Sequence, residues 1–272
     1  MDIESYFISQ FSRKYIGDDA AIVDGLIYSK DAFFEGVHFK KEWMTYKEVA
    51  QKAMLVNISD AVAMNAQPLY ALLSVAMPKN ITKQEAKELA QGFKEIANEY
   101  GIEIIGGDTI ANTKLDITIT VISKSKKPLL RKGMKKGDLL AYTGDLGRSI
   151  KDLRTLFRGG KIRKDSKFKS PTLRWKFIQK TRKYLHCGMD ISDGLFSDLE
   201  KLSRFNNLGY KFFHKIPKSI GCSGEEYELL FSFDKRYKTA IIRQAKRTRT
   251  KINICAVAQN KRFFNTCKRH HF

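Results

Sequence analysis

No stretch of this sequence reaches the roughly 18 consecutive apolar residues that a bilayer-spanning helix needs, so a membrane-embedded chain is not expected. The chain opens on acidic Met1-Asp2-Ile3-Glu4, unlike the basic and then apolar start of a secretory signal. Its four cysteines, Cys187, Cys222, Cys255 and Cys267, form no C-x-x-C pair. That argues against a zinc or thiol-redox motif and predicts reduced thiols in a cytoplasmic protein. The commonest phosphate devices are also missing. There is no G-x-x-x-x-G-K-[ST] loop, no G-x-G-x-x-G after a strand and no protein-kinase motif set. Ser-His and Cys-His arrangements for covalent catalysis are not evident either.

What is present is ordinary for a folded chain. Its 272 residues are 43% hydrophobic, enough for one large or two ordinary domains. The net charge of +21 is unevenly spread: residues 1–125 hold 13 Lys/Arg against 17 Asp/Glu, and residues 126–272 hold 37 against 12. An acidic first half beside a basic second half matches metal binding in one and phosphate binding in the other. Runs such as Lys161-Ile162-Arg163-Lys164 equally suit solvated faces. With no zinc finger, RNP or basic-zipper pattern, no specific nucleic-acid partner is expected.

Hydrophobic patterning predicts two α/β domains, 1–125 and 126–272. In the first, Ala20–Tyr28 reads as a strand broken by a turn at Asp24-Gly25, Tyr46–Asn65 as a helix and Leu69–Met77 as a strand. Thr82-Lys83-Gln84-Glu85 is a capping box opening a helix that ends at Gly101. Ile102–Ile105 and Leu115–Ser123 read as strands, and Lys124–Lys136 as a linker. In the second, strands are expected at Leu139–Thr143, Tyr210–Phe213, Glu228–Phe233 and Ile252–Ala258, and helices at Leu173–Tyr184, Ser197–Phe205 and Lys235–Arg247.

Aspartates recur at the ends of these elements: Asp18, Asp19, Asp31, Asp60, Asp108, Asp190 and Asp193. Short carboxylates in such places suit hard cations such as Mg²⁺, which share their coordination with phosphate oxygens. So many in separate motifs point to several ions and to polyphosphate chemistry. Gly106-Gly107 before Asp108 reads either as a turn or as a close backbone approach to phosphate. Asp193 reads either as a ligand or as a helix N-cap.

The motifs come in a definite order: I-G-D-D-A-A (16–21), D-x-x-x-E-G-V-H-F (31–39), N-I-S-D-A-V-A-M-N-A-Q-P (57–68) and G-G-D-T (106–109). T-G-D-L-G-R-S (143–149), M-D-I-S-D-G-L-x-x-D-L (189–199) and G-E-E-Y-E-L-L-F (224–231) follow. The series resembles the thiamine-monophosphate kinase family, within the superfamily that includes aminoimidazole ribonucleotide synthetase. That resemblance implies a two-domain α/β fold whose first-domain sheets pair across a homodimer into a barrel. It also implies ATP-dependent phosphorylation of thiamine monophosphate with several Mg²⁺ ions and no phosphoenzyme. Another ATP-dependent activity of the superfamily, or a basic nucleic-acid-binding protein on a decayed site, is the alternative. Carried over, Asp19, Ser29, Asp31, Asp60, Asp108, Asp190 and Asp193 would hold metal. Gly107, Asp108, Arg131 and Ser192 would meet ATP, and His38 and Glu225 would face the acceptor. Three departures stand out: Lys30 where the family often has Thr, Glu226 for the usual Asp, and Arg269 at the family's C-terminal aromatic position.

Overall fold

The computed structural model describes residues 3–12 and 14–267; Arg269, named above, lies outside the described residues. After the short helix α1 (Ile3–Ser9), the first half is built from β1 (Ala21–Val23), β2 (Leu26–Phe34), α2 (Tyr46–Ala63), β3 (Gln67–Pro78), α3 (Lys83–Tyr100), β4 (Glu103–Asn112) and β5 (Asp116–Lys124). The strands make one five-stranded sheet in the order β1-β2-β5-β3-β4, antiparallel except for the parallel pair β3/β4. The helices cover one face. Both carry capping boxes at their starts, the expected one at Thr82/Glu85 and an unforeseen one at Thr45/Glu48.

The second half contains β6 (Leu139–Thr143), α4 (Arg148–Phe157), α5 (Trp175–Thr181), β7 (Leu185–Asp190), α6 (Leu195–Asn206), β8 (Gly209–Phe212), the single turn α7 (Lys218–Gly221), β9 (Leu229–Phe233), α8 (Lys238–Arg247) and β10 (Ile252–Gln259). Its sheet runs β7-β9-β6-β10-β8 and is antiparallel throughout. One apolar core links the two halves: Ile58 and Val62 of α2, Ile119 of β5, and Phe231 and Phe233 of β9 belong to the same cluster. Helix α2 lies at the centre of that junction and is buried on nearly every side.

The structure departs from the sequence reading in five places. The Gly106-Gly107-Asp108 segment is no turn but the middle of β4. Gly107 lies at φ +148°, and a Cβ there would strike the Leu73 backbone of the neighbouring strand. Only glycine fits, because of strand packing. Strand β7 is absent from the sequence reading, since Leu-His-Cys-Gly-Met-Asp has neither alternation nor β-branched residues. The helix expected over 173–184 is shorter, ending in a 3₁₀ turn. The Lys124–Lys136 segment is no free linker: Leu129 is 1% exposed and its amide donates to the Met64 carbonyl, while Asn206 accepts from the amides of Gly133 and Met134. Lastly, Cys222 and Cys267 form a disulfide across 45 residues, with Cα atoms 5.6 Å apart. Sequence spacing carries no trace of a pairing that only the tertiary fold creates.

Candidate active site

Most of the aspartates singled out in sequence gather where α2 wedges between the two sheets. Asp31 comes from β2, on the face that also carries buried Ile27, Ser29 and Phe33. Asn57 of α2 fixes that strand, its side-chain oxygen accepting from the Asp31 amide at 2.8 Å. The Ser29 hydroxyl donates to the Asn57 carbonyl at 3.3 Å. Asn57 was missed in sequence as a site residue, although its N-x-x-D spacing to Asp60 places both on one helix face. From the other half, Asp190 at the end of β7 is 3% exposed and accepts from the Ser59 hydroxyl of α2 at 2.8 Å.

The carboxylates of this junction are buried and repel one another. Burial, then the carboxylates of Asp31, Asp190 and Asp19, push the Asp60 carboxyl well above the usual range. Burial, then Asp19 and Asp198, do the same to Asp190. Asp19 is raised by burial against the opposing pull of Arg131. Its Oδ1 accepts from Arg131 Nε at 2.9 Å and Nη2 at 2.6 Å, while its buried Oδ2 has no hydrogen-bond partner among the described residues. Asp18 is the structural half of the pair, accepting from the Arg131 amide at 2.7 Å. Arg131, expected on ATP, is therefore already held by Asp19 and by the Gly17 carbonyl.

These groups fit divalent cations in chemistry: oxygen donors, buried, mutually repelling, with an orphaned carboxylate oxygen. Among the described residues, however, no three of them close into a ready-made metal-ligand group. Asp193 reaches Lys201, which also binds Asp198 at 2.9 Å. Asp193 is not the N-cap of α6, a position taken by Gly194 with no side-chain cap.

Asp108 stands apart. Asp31, Ile119, Leu73 and Gly107 lie in one row across the sheet. Gly107 is thus three strand spacings from Asp31, roughly 14 Å. Asp108 itself is exposed, on the uncovered face with its register partner Ser74, and accepts from the Thr109 amide at 2.9 Å.

The acidic loop after α7 forms the opposite wall. Glu225 and Tyr227 both adopt left-handed backbone, φ 54° and 49°. The Glu225 and Tyr227 amides donate to the carbonyls of Ser192 and Ile191, zipping this loop to the M-D-I-S-D segment. The alternation sends side chains to opposite sides. Glu225 reaches back to the first half and accepts from Lys52 Nζ at 2.6 Å. Tyr227 is buried among Glu225, Asp31, Asp190 and Asp60, and burial first, then those carboxylates, raises its phenol. Glu226 and Glu228 turn inward. Glu226 accepts from the Gly147 amide at 2.7 Å and the Ser223 hydroxyl at 2.6 Å. Glu228 accepts two bonds from Arg174, both 2.7 Å, and pairs with Lys167 at 2.9 Å. Three consecutive-looking acids thus have separate jobs, and only Glu225 faces the junction. His38 lies nearby, its Nδ1 accepting from the Phe34 amide at 3.0 Å and its ring 5.5 Å from Phe33.

Residues 17–124 match the family described as AIR synthase related protein, N-terminal domain. The thiamine-monophosphate kinase of Leptospira interrogans is 36% identical, the match covering 76% of this chain and 75% of that protein. The thiamine-monophosphate kinase of Pyrococcus horikoshii is 30% identical over 86% and 82%. In three dimensions the chain superposes on AaThiL complexed with AMPPCP and TMP with a TM-score of 0.87, at 24% identity, covering 99% of this chain and 96% of that one. The two-sheet α/β fold is shared with that structure, and on the sequence match the chain belongs to the thiamine-monophosphate kinase family.

Proposed function

We infer that this chain transfers the γ-phosphoryl group of ATP to the phosphate of thiamine monophosphate, giving thiamine diphosphate and ADP. The observation that carries this reading is the meeting of Asp19, Asp31, Asp60 and Asp190, from both halves, in one buried junction where Asp60 and Asp190 have no ion pair among the described residues. Donor and acceptor are both anions, so the barrier is mainly charge repulsion and alignment. Asp19, Ser29, Asp31, Asp60, Asp190 and Asp193 would hold Mg²⁺, which when bound neutralises phosphate charge. The chain's own part is positional. Asn57 and Ser59 fix Asp31 and Asp190, and the wall of Glu225 and His38 receives the rings of the acceptor, of which the thiazolium is cationic. Ser192 and Arg131 lie beside that wall and next to Asp19, where nucleotide phosphates would come. No protein nucleophile is required. The match that ends at residue 124 supports a division into a metal- and ATP-binding domain, 1–125, and a domain completing the substrate site, 126–272.

Asp108 and Gly107 join this site most simply in a homodimer. Strand β1 pairs only with residues 26–28 of β2, leaving the outer edge of Ser29–Phe34 unpaired by β1. β4 is the other edge of the sheet. Pairing β4 of a second copy with this free edge closes two sheets into a barrel and brings the strand that carries Gly107 and Asp108 alongside the strand that carries Asp31 in trans. It also covers exposed Leu72 and Ile110 and removes both bare edges. Among the described residues no helix is long and apolar enough to cross a membrane. The use of ATP is the ground for placing the enzyme in the cytoplasm, where that nucleotide is made and kept.

The test is direct. Chromatography of purified protein with ATP and thiamine monophosphate should show thiamine diphosphate with Mg²⁺ and none in excess EDTA. Equal product in EDTA, or ATP turnover only with other acceptors, overturns the reading. Light scattering of a stable monomer at micromolar concentration would remove the dimer.

A further inference from the structure

Lys52 is the most deeply buried cation of the junction, and no sequence motif marks it. Its side chain is 1% exposed, yet its one carboxylate partner among the described residues, Glu225, is 30% exposed. The ammonium stands 3.7 Å from the centroid of the Phe168 ring and 5.5 Å from that of Phe33. Lysine is almost never buried so completely unless it is paired. A buried ion pair is a poor stabiliser, since desolvation offsets most of the attraction and an apolar residue of similar size does as well or better. The position is informative too. Lys52 shares α2 with Asn57, Ser59 and Asp60, which are engaged with Asp31, with Asp190 and with the acid cluster. Along one helix, then, the buried polar residues all serve the junction.

Glu225 needs such a partner. Its backbone is held in the left-handed region by the Ser192 carbonyl and by the Ser149 hydroxyl, which donates to its own carbonyl at 2.8 Å. Neither contact orients the carboxylate. Lys52 does, at 2.6 Å and from a site boxed by two aromatic rings. An orienting ammonium in an aromatic box loses little further freedom when a ligand arrives, so the carboxylate is preorganised for a cationic group.

We propose that Lys52 is a specificity-determining positioning residue of the acceptor site, aiming the Glu225 carboxylate at the cationic thiazolium ring of thiamine monophosphate. This rests on the reading of Glu225 as an acceptor contact. Lys52 acts through Glu225, touching neither the nucleotide nor the reacting oxygens.

Steady-state kinetics of Lys52→Met, Lys52→Arg, Glu225→Gln and the Lys52→Met/Glu225→Gln double variant test it, together with calorimetric titration of thiamine monophosphate without ATP. Lys52→Met should raise the KM and the dissociation constant for thiamine monophosphate about fivefold or more, with the KM for ATP within about twofold. Its melting temperature should equal or exceed that of the parent. Lys52→Arg should recover most of the loss. The double variant should be no worse than Glu225→Gln alone, because the lysine has nothing left to aim. Unchanged affinity in Lys52→Met, multiplied losses in the double variant, or a lowered melting temperature with normal affinity would each overturn the proposal. A parent that neither binds nor phosphorylates thiamine monophosphate overturns the activity reading, and this one with it.

Discussion

Two groups of carboxylates, one at the junction beside α2 and one turned inward behind the acidic loop, are treated in opposite ways. In the acidic loop, Glu228 is 1% exposed but has Arg174, Lys167 and the Thr143 hydroxyl around it. Those partners outweigh burial and hold its carboxyl below the usual range. Beside α2, Asp60 and Asp190 are in no ion pair among the described residues, and their carboxyls are pushed far up. One region carries its own countercharge, and the other is short of it. On the proposed function the difference separates scaffold from site: the fold supplies Lys and Arg to Glu228 and leaves Asp60 without an ion pair, where the proposed Mg²⁺ would supply the countercharge.

Substitutions can break this contrast. The largest effect is expected at Asp60. Asp60→Asn removes a crowded charge, so thiamine diphosphate formation should fall by about 100-fold or more, as for loss of a metal-binding charge. The same change should leave the metal-free melting temperature unchanged or higher, since it relieves repulsion. A less stable but active variant would place Asp60 in the scaffold. Glu228→Gln should do the reverse. It strands Arg174 and Lys167, and chemical denaturation should show a loss of about 3–5 kcal/mol. Stability equal to the parent would show that the countercharge there is idle.

A smaller effect concerns Asp198, fully buried and pushed up to about 6, by burial first and against the pull of Lys201. Its folded pKa lies above its unfolded value. Its contribution is therefore complete below pH 3.8 and is lost as pH rises through about 6. Glu228 has the opposite sign, its contribution present above 4.5 and lost as pH falls through its lowered folded value. Asp198→Asn should raise the melting temperature relative to the parent by a few degrees at pH 7.5, and by less at pH 4.5. A difference independent of pH would refute the assignment.

Much of this arrangement was legible in sequence because aspartate, glycine and their spacing are local signals. The seven motifs located Asp19, Asp31, Asp60, Asp190 and Glu225, and the capping box at Thr82 located α3. Less legible were features made by tertiary contact. Lys52 resembles any helical lysine until Phe168 and Glu225 surround it. Arg131 reads as a phosphate ligand, and only the fold shows that it also pairs with Asp19. Asp108 carries the right motif, yet strand alternation turns it to the uncovered face, because the parallel pairing of β3 and β4 sets that register. The Cys222–Cys267 bridge and strand β7 left no local pattern at all.

The contrast between supplied and withheld countercharge is tested most directly by thermal unfolding at pH 8 with Mg²⁺ and a non-hydrolysable ATP analogue, comparing the parent with Asp60→Asn. The account predicts a rise of several degrees in the parent, abolished by EDTA and nearly absent in the variant, because ligands stabilise only the state that binds them. An equal rise in both proteins would contradict it.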